Sequence, residues 1–138
     1  MSNAAIIPGA DLINASGGCH CGAVRFRVRF ASPPVLLDCN CSVCAKTGFL
    51  HLIAAAGDFT LLTGAEILTY YRFGTGTARH LFCRTCGIKS FYVPRSHPDG
   101  FSVNWRALDG VDAIVPVVQP YDGLSGWEAA RAALGDSA

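Results

Sequence analysis

Seven cysteines stand in this 138-residue chain, and none stands alone. Cys19 and Cys21 form a C-x-C pair, Cys39, Cys41 and Cys44 a C-x-C-x-x-C triad, and Cys83 and Cys86 a C-x-x-C pair. Cysteines serving only as small core hydrophobes would be scattered. Chelate spacing points to metal instead, with disulfide or redox chemistry as the alternative. An odd count leaves a thiol over in a pure disulfide framework. The stretch Met1 to Ala15 carries Asp11 and no Lys or Arg, so it does not read as a secretory signal. The expected address is the cytoplasm, where structural disulfides are rare.

Zinc sites are either closed four-ligand structural sites or three-ligand sites with a position open to water or substrate. Seven thiolates divide into one of each. Gly22 follows Cys21 and Gly87 follows Cys86, so both pairs end in the residue best suited to φ > 0. A knuckle turn needs this if backbone N–H groups are to point back at the sulfurs. The two pairs therefore read as halves of one four-cysteine site. Cys39, Cys41 and Cys44 are followed by Ala45 and read as a separate, local set. Iron or an iron–sulfur cluster is the competing occupant, but paired cysteines in short turns favour zinc. A thioredoxin-type role for Cys83 and Cys86 needs a helix after them, whereas Ile88-Lys89-Ser90-Phe91-Tyr92-Val93 reads as a strand.

Other residues invite weaker readings. His20 lies between two cysteines, but neighbours in an extended turn point apart. His51, His80 and His97 stand singly, as satisfied histidines usually do. Asp38 precedes Cys39 and is read equally as an acceptor behind the metal site, a proton relay or a strand-end residue. No Walker loop, G-x-S-x-G or H-E-x-x-H occurs.

These ligands must be held by a strand-rich frame. Val24 to Phe30 alternates strictly, placing Phe26, Val28 and Phe30 on one face and Arg25, Arg27 and Arg29 on the other. The arginine face reads as solvated surface rather than a nucleic-acid stripe. Pro33 and Pro34 end that strand. Further strands are expected at Phe49 to Ala55, Phe59 to Leu62, Ile67 to Phe73, Arg79 to Phe82, Ile88 to Val93, Phe101 to Trp105 and Ile114 to Val118. Pro116 argues for an edge or a bulge in the last. One stretch reads as helix, about 125–134: Ser125 and Glu128 form a capping box, Trp127, Ala130 and Leu134 share a face, and Gly135 closes the end. The expected fold is mainly β, with short antiparallel sheets and one short C-terminal helix. It forms a single domain over 1–138 with its core at about 15–120.

Composition narrows the function further. Apolar residues make up 51 % and charged residues 15 %, so the chain buries enough surface to fold. Eleven Lys and Arg against ten Asp and Glu give a net charge of +1, which argues against a nucleic-acid partner or a membrane adhesin. No apolar run approaches the ~20 residues of a membrane span.

The motifs resemble a known family. Gly18-Cys19-His20-Cys21-Gly22-Ala23-Val24-Arg25-Phe26 is similar to the opening motif of the glutathione-dependent formaldehyde-activating enzymes, a family that also contains the centromere protein V domain. Cys39-Asn40-Cys41-Ser42-Val43-Cys44 with Gly48 resembles its second motif, and Phe82-Cys83-Arg84-Thr85-Cys86-Gly87 its third. Pro98-Asp99-Gly100-Phe101-Ser102-Val103-Asn104 resembles the strand that follows. The likeness runs from about Gly17 to Asp109. It implies a zinc-binding β-tent fold and two zinc ions per chain. Cys19, Cys21, Cys83 and Cys86 would hold the structural ion, and Cys39, Cys41 and Cys44 the catalytic one. The implied activity is a carbon–sulfur lyase joining glutathione and formaldehyde into S-hydroxymethylglutathione. Family members often carry a basic residue after the third loop cysteine; here it is Ala45, with Lys46 next. Lys46, Arg72, Arg79, Arg84 and Arg95 are the cations available for the two glutathione carboxylates. The alternative is a non-catalytic, zinc-stapled protein-interaction module. The complete second triad and the near-neutral charge favour the enzyme.

Overall fold

The computed structural model describes residues 11–94 and 97–125. The expected C-terminal helix with Trp127, and Arg95, lie outside the described residues. Among the described residues there are ten strands: β1 (Leu12–Gly18), β2 (Arg25–Ala31), β3 (Val35–Cys39), β4 (Leu50–Ala54), β5 (Phe59–Thr63), β6 (Leu68–Tyr71), β7 (His80–Cys83), β8 (Phe91–Tyr92), β9 (Phe101–Asn104) and β10 (Val117–Tyr121). Among the described residues one short α-helix, α1 (Ser42–Thr47), joins β3 to β4. The mainly β expectation holds.

The strands form a three-stranded sheet in the order β1-β2-β5, a five-stranded sheet β10-β3-β4-β9-β8, and the β6-β7 hairpin. The alternation in β2 does what its pattern requires. Phe26, Val28 and Phe30 are fully buried, while Arg25 and Arg29 pair outside with Asp109 at 2.7 Å and Asp58 at 2.8 Å. Phe59 of β5 stacks on Phe26 and on Phe101 of β9, with ring centroids 5.3 and 4.3 Å apart. Phe91 of β8 meets Phe59 at 4.7 Å. These rings pack the small sheet against the large one. Each buried phenylalanine contributes roughly 1.5–3 kcal/mol.

One strand pair departs from the antiparallel pattern of the other pairs. β10 runs parallel to β3, with Val117 beside Val35 and Tyr121 beside Cys39. A parallel neighbour requires a long crossover, and the chain carrying β4 to β9 supplies it. Apolar alternation is blind to strand direction, so the sequence pattern does not reveal this pairing. β10 lies at the sheet edge, where Pro120 is tolerated because no further strand needs its missing N–H. Three of these elements were not expected, β1, β3 and α1. β1 ends in Gly17-Gly18 and lacks an apolar alternation, because a Cβ at Gly17 would strike the Ala107 carbonyl oxygen. Among the described residues, no helix is long and apolar enough to cross a membrane.

Candidate metal centres

Cys19 follows β1, Cys21 lies in the turn between β1 and β2, Cys83 ends β7 and Cys86 sits in the turn beyond it. Folding brings all four Sγ atoms within 4.8 Å of one another. Cys19 and Cys21 are 3.6 Å apart and Cys21 and Cys83 3.7 Å. A tetrahedral zinc with Zn–S of about 2.3 Å sets its sulfurs ~3.8 Å apart, so this donor set fits the ion. A disulfide would need about 2.05 Å.

The knuckle geometry follows from the two glycines. Gly22 has φ +84° and Gly87 φ +79°, in the left-handed region. The turns direct N–H groups at sulfur: Val24 donates to Cys19 Sγ at 3.3 Å. The N–H groups of Cys86 and Thr85 lower the Cys83 thiol. Burial alone would raise Cys86, but the N–H groups of Cys21 and Ile88 bring it down to about 6. The Ala23 N–H acts the same way on Cys21, yet Cys19 and the other neighbouring thiols, together with burial, push Cys21 up to about 11. Clustered thiols cannot all ionise without a cation among them. A divalent ion removes that conflict.

The second cluster is local. Cys39 ends β3, Cys41 starts the following turn and Cys44 lies in α1, with their Sγ atoms again within 4.8 Å of one another. Three soft donors around one point also fit zinc, with a coordination position to spare. The helix is built by the loop itself. Ala45 N–H bonds the Cys41 carbonyl at 2.9 Å, Gly48 N–H bonds that of Cys44 at 3.0 Å, and Gly48 closes the turn at φ +65°. The Cys41 N–H donates to Cys39 Sγ at 3.4 Å. Hydrogen bonding with Cys39, burial and the Cys39 charge all raise the Cys44 thiol.

His51, a residue with no assigned role in the motifs, touches this cluster. Its Nε2 is 3.0 Å from Cys44 Sγ and its Nδ1 2.8 Å from Ser102 Oγ. Burial, and then the charges of Lys89 and His80, hold His51 well below its ordinary pKa, so it is neutral. With Cys44 as thiolate, Nε2–H donates to sulfur and Nδ1 accepts the Ser102 hydroxyl proton. A metal ligand oriented by a second hydrogen-bonded group in this way keeps its position and basicity. The sequence signal was present: His51 interrupts the buried apolar run Leu50 to Ala54, and a buried polar group needs partners.

A cleft of about 90 Å³ opens beside the triad, lined by Cys41, Cys44, Phe73, His80 and Tyr92 among others. That is room for a few water-sized groups. A shallower depression shares Val43 and Phe73 with it and adds Ser42, Lys46 and Tyr71. The Asn40 side chain bonds Asp122 at 3.2 Å and Leu124 N–H at 3.0 Å, which sets Gly123 at the cleft. Lys89 was also missed. Its Nζ lies 4.0 Å from the Tyr92 ring centroid, 5.0 Å from that of Phe49, and 2.8 Å from His80 Nδ1. Burial brings Lys89 down to about 8, against the pull of Cys44, Cys41 and Cys39. The remaining candidates lie elsewhere. Asp38 and His20 are exposed and join neither cluster, and His97 is buried apart from both. Arg72 lies over the Tyr70 ring, while Arg79 and Arg84 are exposed.

The family model of the glutathione-dependent formaldehyde-activating enzymes matches residues 14–123, which include all seven cysteines and both clusters. The chain belongs to that family. A curated protein of Halomonas elongata named for the same family is 36 % identical over 78 residues. That match spans 51 % of this chain and about half of the relative's length, 50 %. A crystal structure of a Rhodobacter sphaeroides protein has 40 % identity and a TM-score of 0.67, covering 75 % of this chain and 99 % of that one. The Rhodobacter protein thus shares the fold of this chain over most of its length.

Proposed function

We propose that this protein is a zinc-dependent carbon–sulfur lyase. It adds the sulfur of glutathione, or of a similar small thiol, to formaldehyde or a related small aldehyde, giving S-hydroxymethylglutathione from the named pair. The observation that carries this reading is the three-cysteine cluster at the wall of a cleft, with Cys41 and Cys44 lining it. A purely structural staple has no need of an open cleft beside it.

Cys19, Cys21, Cys83 and Cys86 would hold a structural zinc, and Cys39, Cys41 and Cys44 the second ion. Zinc there would hold a thiol fully ionised at neutral pH, where a free one is only a few per cent thiolate, a gain of roughly 30-fold. The remaining acceleration falls to positioning. The cleft holds the sulfur end of the thiol and a one-carbon aldehyde. The peptide body would lie over Tyr71 and Phe73, where Lys46 offers a cation to a carboxylate. His51 and Ser102 keep Cys44 in place. The test is turnover of glutathione and formaldehyde above the uncatalysed rate, followed by NMR exchange between free and adduct signals. S-Methylglutathione should neither react nor compete well; if it binds as tightly as glutathione, a direct role for the sulfur is lost.

A further inference from the structure

We propose that His80, backed by Lys89, is the proton donor to the aldehyde oxygen in the cleft; the inference rests on the thiol–aldehyde reading above. The imidazole is held from three sides. Phe73 stacks on it at 5.1 Å with an interplanar angle of 23°, and Tyr92 at 4.9 Å with an angle of 13°. The Lys89 ammonium, which has only protons to offer, approaches Nδ1 at 2.8 Å. Nδ1 is therefore the acceptor, and the proton of the neutral ring sits on Nε2. Among the described residues Nε2 finds no acceptor, and His80 lines the same cleft as Cys41 and Cys44. A donor on a residue that lines the thiol site has a use when charge develops there.

The step balances. The thiolate electron pair forms the new C–S bond, and the C=O π pair moves to oxygen. Nε2–H gives its proton to that oxygen while Lys89 Nζ gives one to Nδ1. The product is the neutral hydroxymethyl thioether, with His80 as the Nδ1–H tautomer and Lys89 as the free amine. Water restores the Lys89 proton and the original tautomer. The reverse sequence serves adduct cleavage. The Lys89 pKa, brought down by burial to about 8, and the neutral state of His80 are consistent with such a relay. Asn104 keeps Lys89 in register, its Nδ2 donating to the Lys89 carbonyl at 3.4 Å.

The experiment compares the parent protein, His80→Gln, Lys89→Met and the double variant in their zinc-loaded forms. Four quantities are read: kcat, KM for glutathione, zinc content and the imidazole ¹⁵N shifts of His80. The relay predicts a kcat loss of about 100-fold in each single variant. KM and zinc content should stay within about twofold, and the double variant should be no worse than either single one, as for groups that act as a unit. The ¹⁵N shifts should show Nε2–H in the parent and a tautomer mixture in Lys89→Met. Parent turnover with kcat retained in His80→Gln, or losses that multiply in the double variant, would overturn the relay and leave the proposed reaction standing. No turnover by the parent would overturn the reaction itself, and the relay with it.

Discussion

Replacing His51 by leucine would strip Cys44 of its Nε2 donor at 3.0 Å and Ser102 of its imidazole partner. Loss of such an orienting group costs about 10–100-fold in metal affinity. His51→Leu should therefore release zinc from the three-cysteine loop at lower chelator concentration, while the four-cysteine site keeps its ion; chelator competition reads both. His80 makes a different prediction, with pH. Burial and then Lys89 hold its pKa at about 4, against an unfolded value of 6.5. Between those values the unfolded chain binds more protons than the folded one. The contribution of a neutral His80 is present above pH 6.5 and is lost as pH falls toward 4. The melting temperature of His80→Gln should thus fall less between pH 7 and 5 than that of the parent, by a few degrees, on the order of 2–6 °C. Equal declines in the two proteins would contradict the burial of a neutral imidazole.

At the scale of elements, the two cysteine sites differ in what they tie together. The four-cysteine site joins β1 and the start of β2 to the end of β7, with Cys21 and Cys83 sixty-two residues apart. A structural zinc contributes roughly 10–16 kcal/mol of apparent binding free energy, as much as the ~5–15 kcal/mol net stability of a domain. Cys86→Ser should unfold the protein or make it insoluble. The triad closes a single turn around α1, so Cys44→Ser should leave a folded protein without turnover. Thermal melting beside thiol–formaldehyde turnover separates the two, and an equal stability loss would show the roles assigned wrongly. Legibility in the sequence followed the same division. β2 was plain because one buried face imposes strict alternation, and Gly22 and Gly87 betrayed the knuckles through a conformation that few other residues adopt. α1 was not legible, since six residues are too short for a helical period and its N-cap has no side-chain hydrogen bond. The roles of His51, His80 and Lys89 come from contacts between β4, β7, β9 and the segment before β8. A histidine inside the apolar run Leu50 to Ala54 shows that His51 needs a partner, but spacing along the chain names none of these contacts.

For the whole molecule, the two clusters sit on different parts of the frame. One staples the three-stranded sheet to the β6-β7 hairpin; the other hangs from the end of β3, where the edge strand β10 brings Tyr121 against Cys39. Fresh, reduced protein should contain two zinc ions per chain by elemental analysis, because seven clustered thiolates exceed what one tetrahedral ion uses. The most direct test of an open thiol site is zinc X-ray absorption with and without glutathione. The expected mean sulfur coordination is about 3.5 per zinc without the thiol, from one four-sulfur and one three-sulfur site. It should rise to about 4 when glutathione binds and stay unchanged with S-methylglutathione. A coordination of 4 sulfurs that glutathione does not alter would contradict the open site.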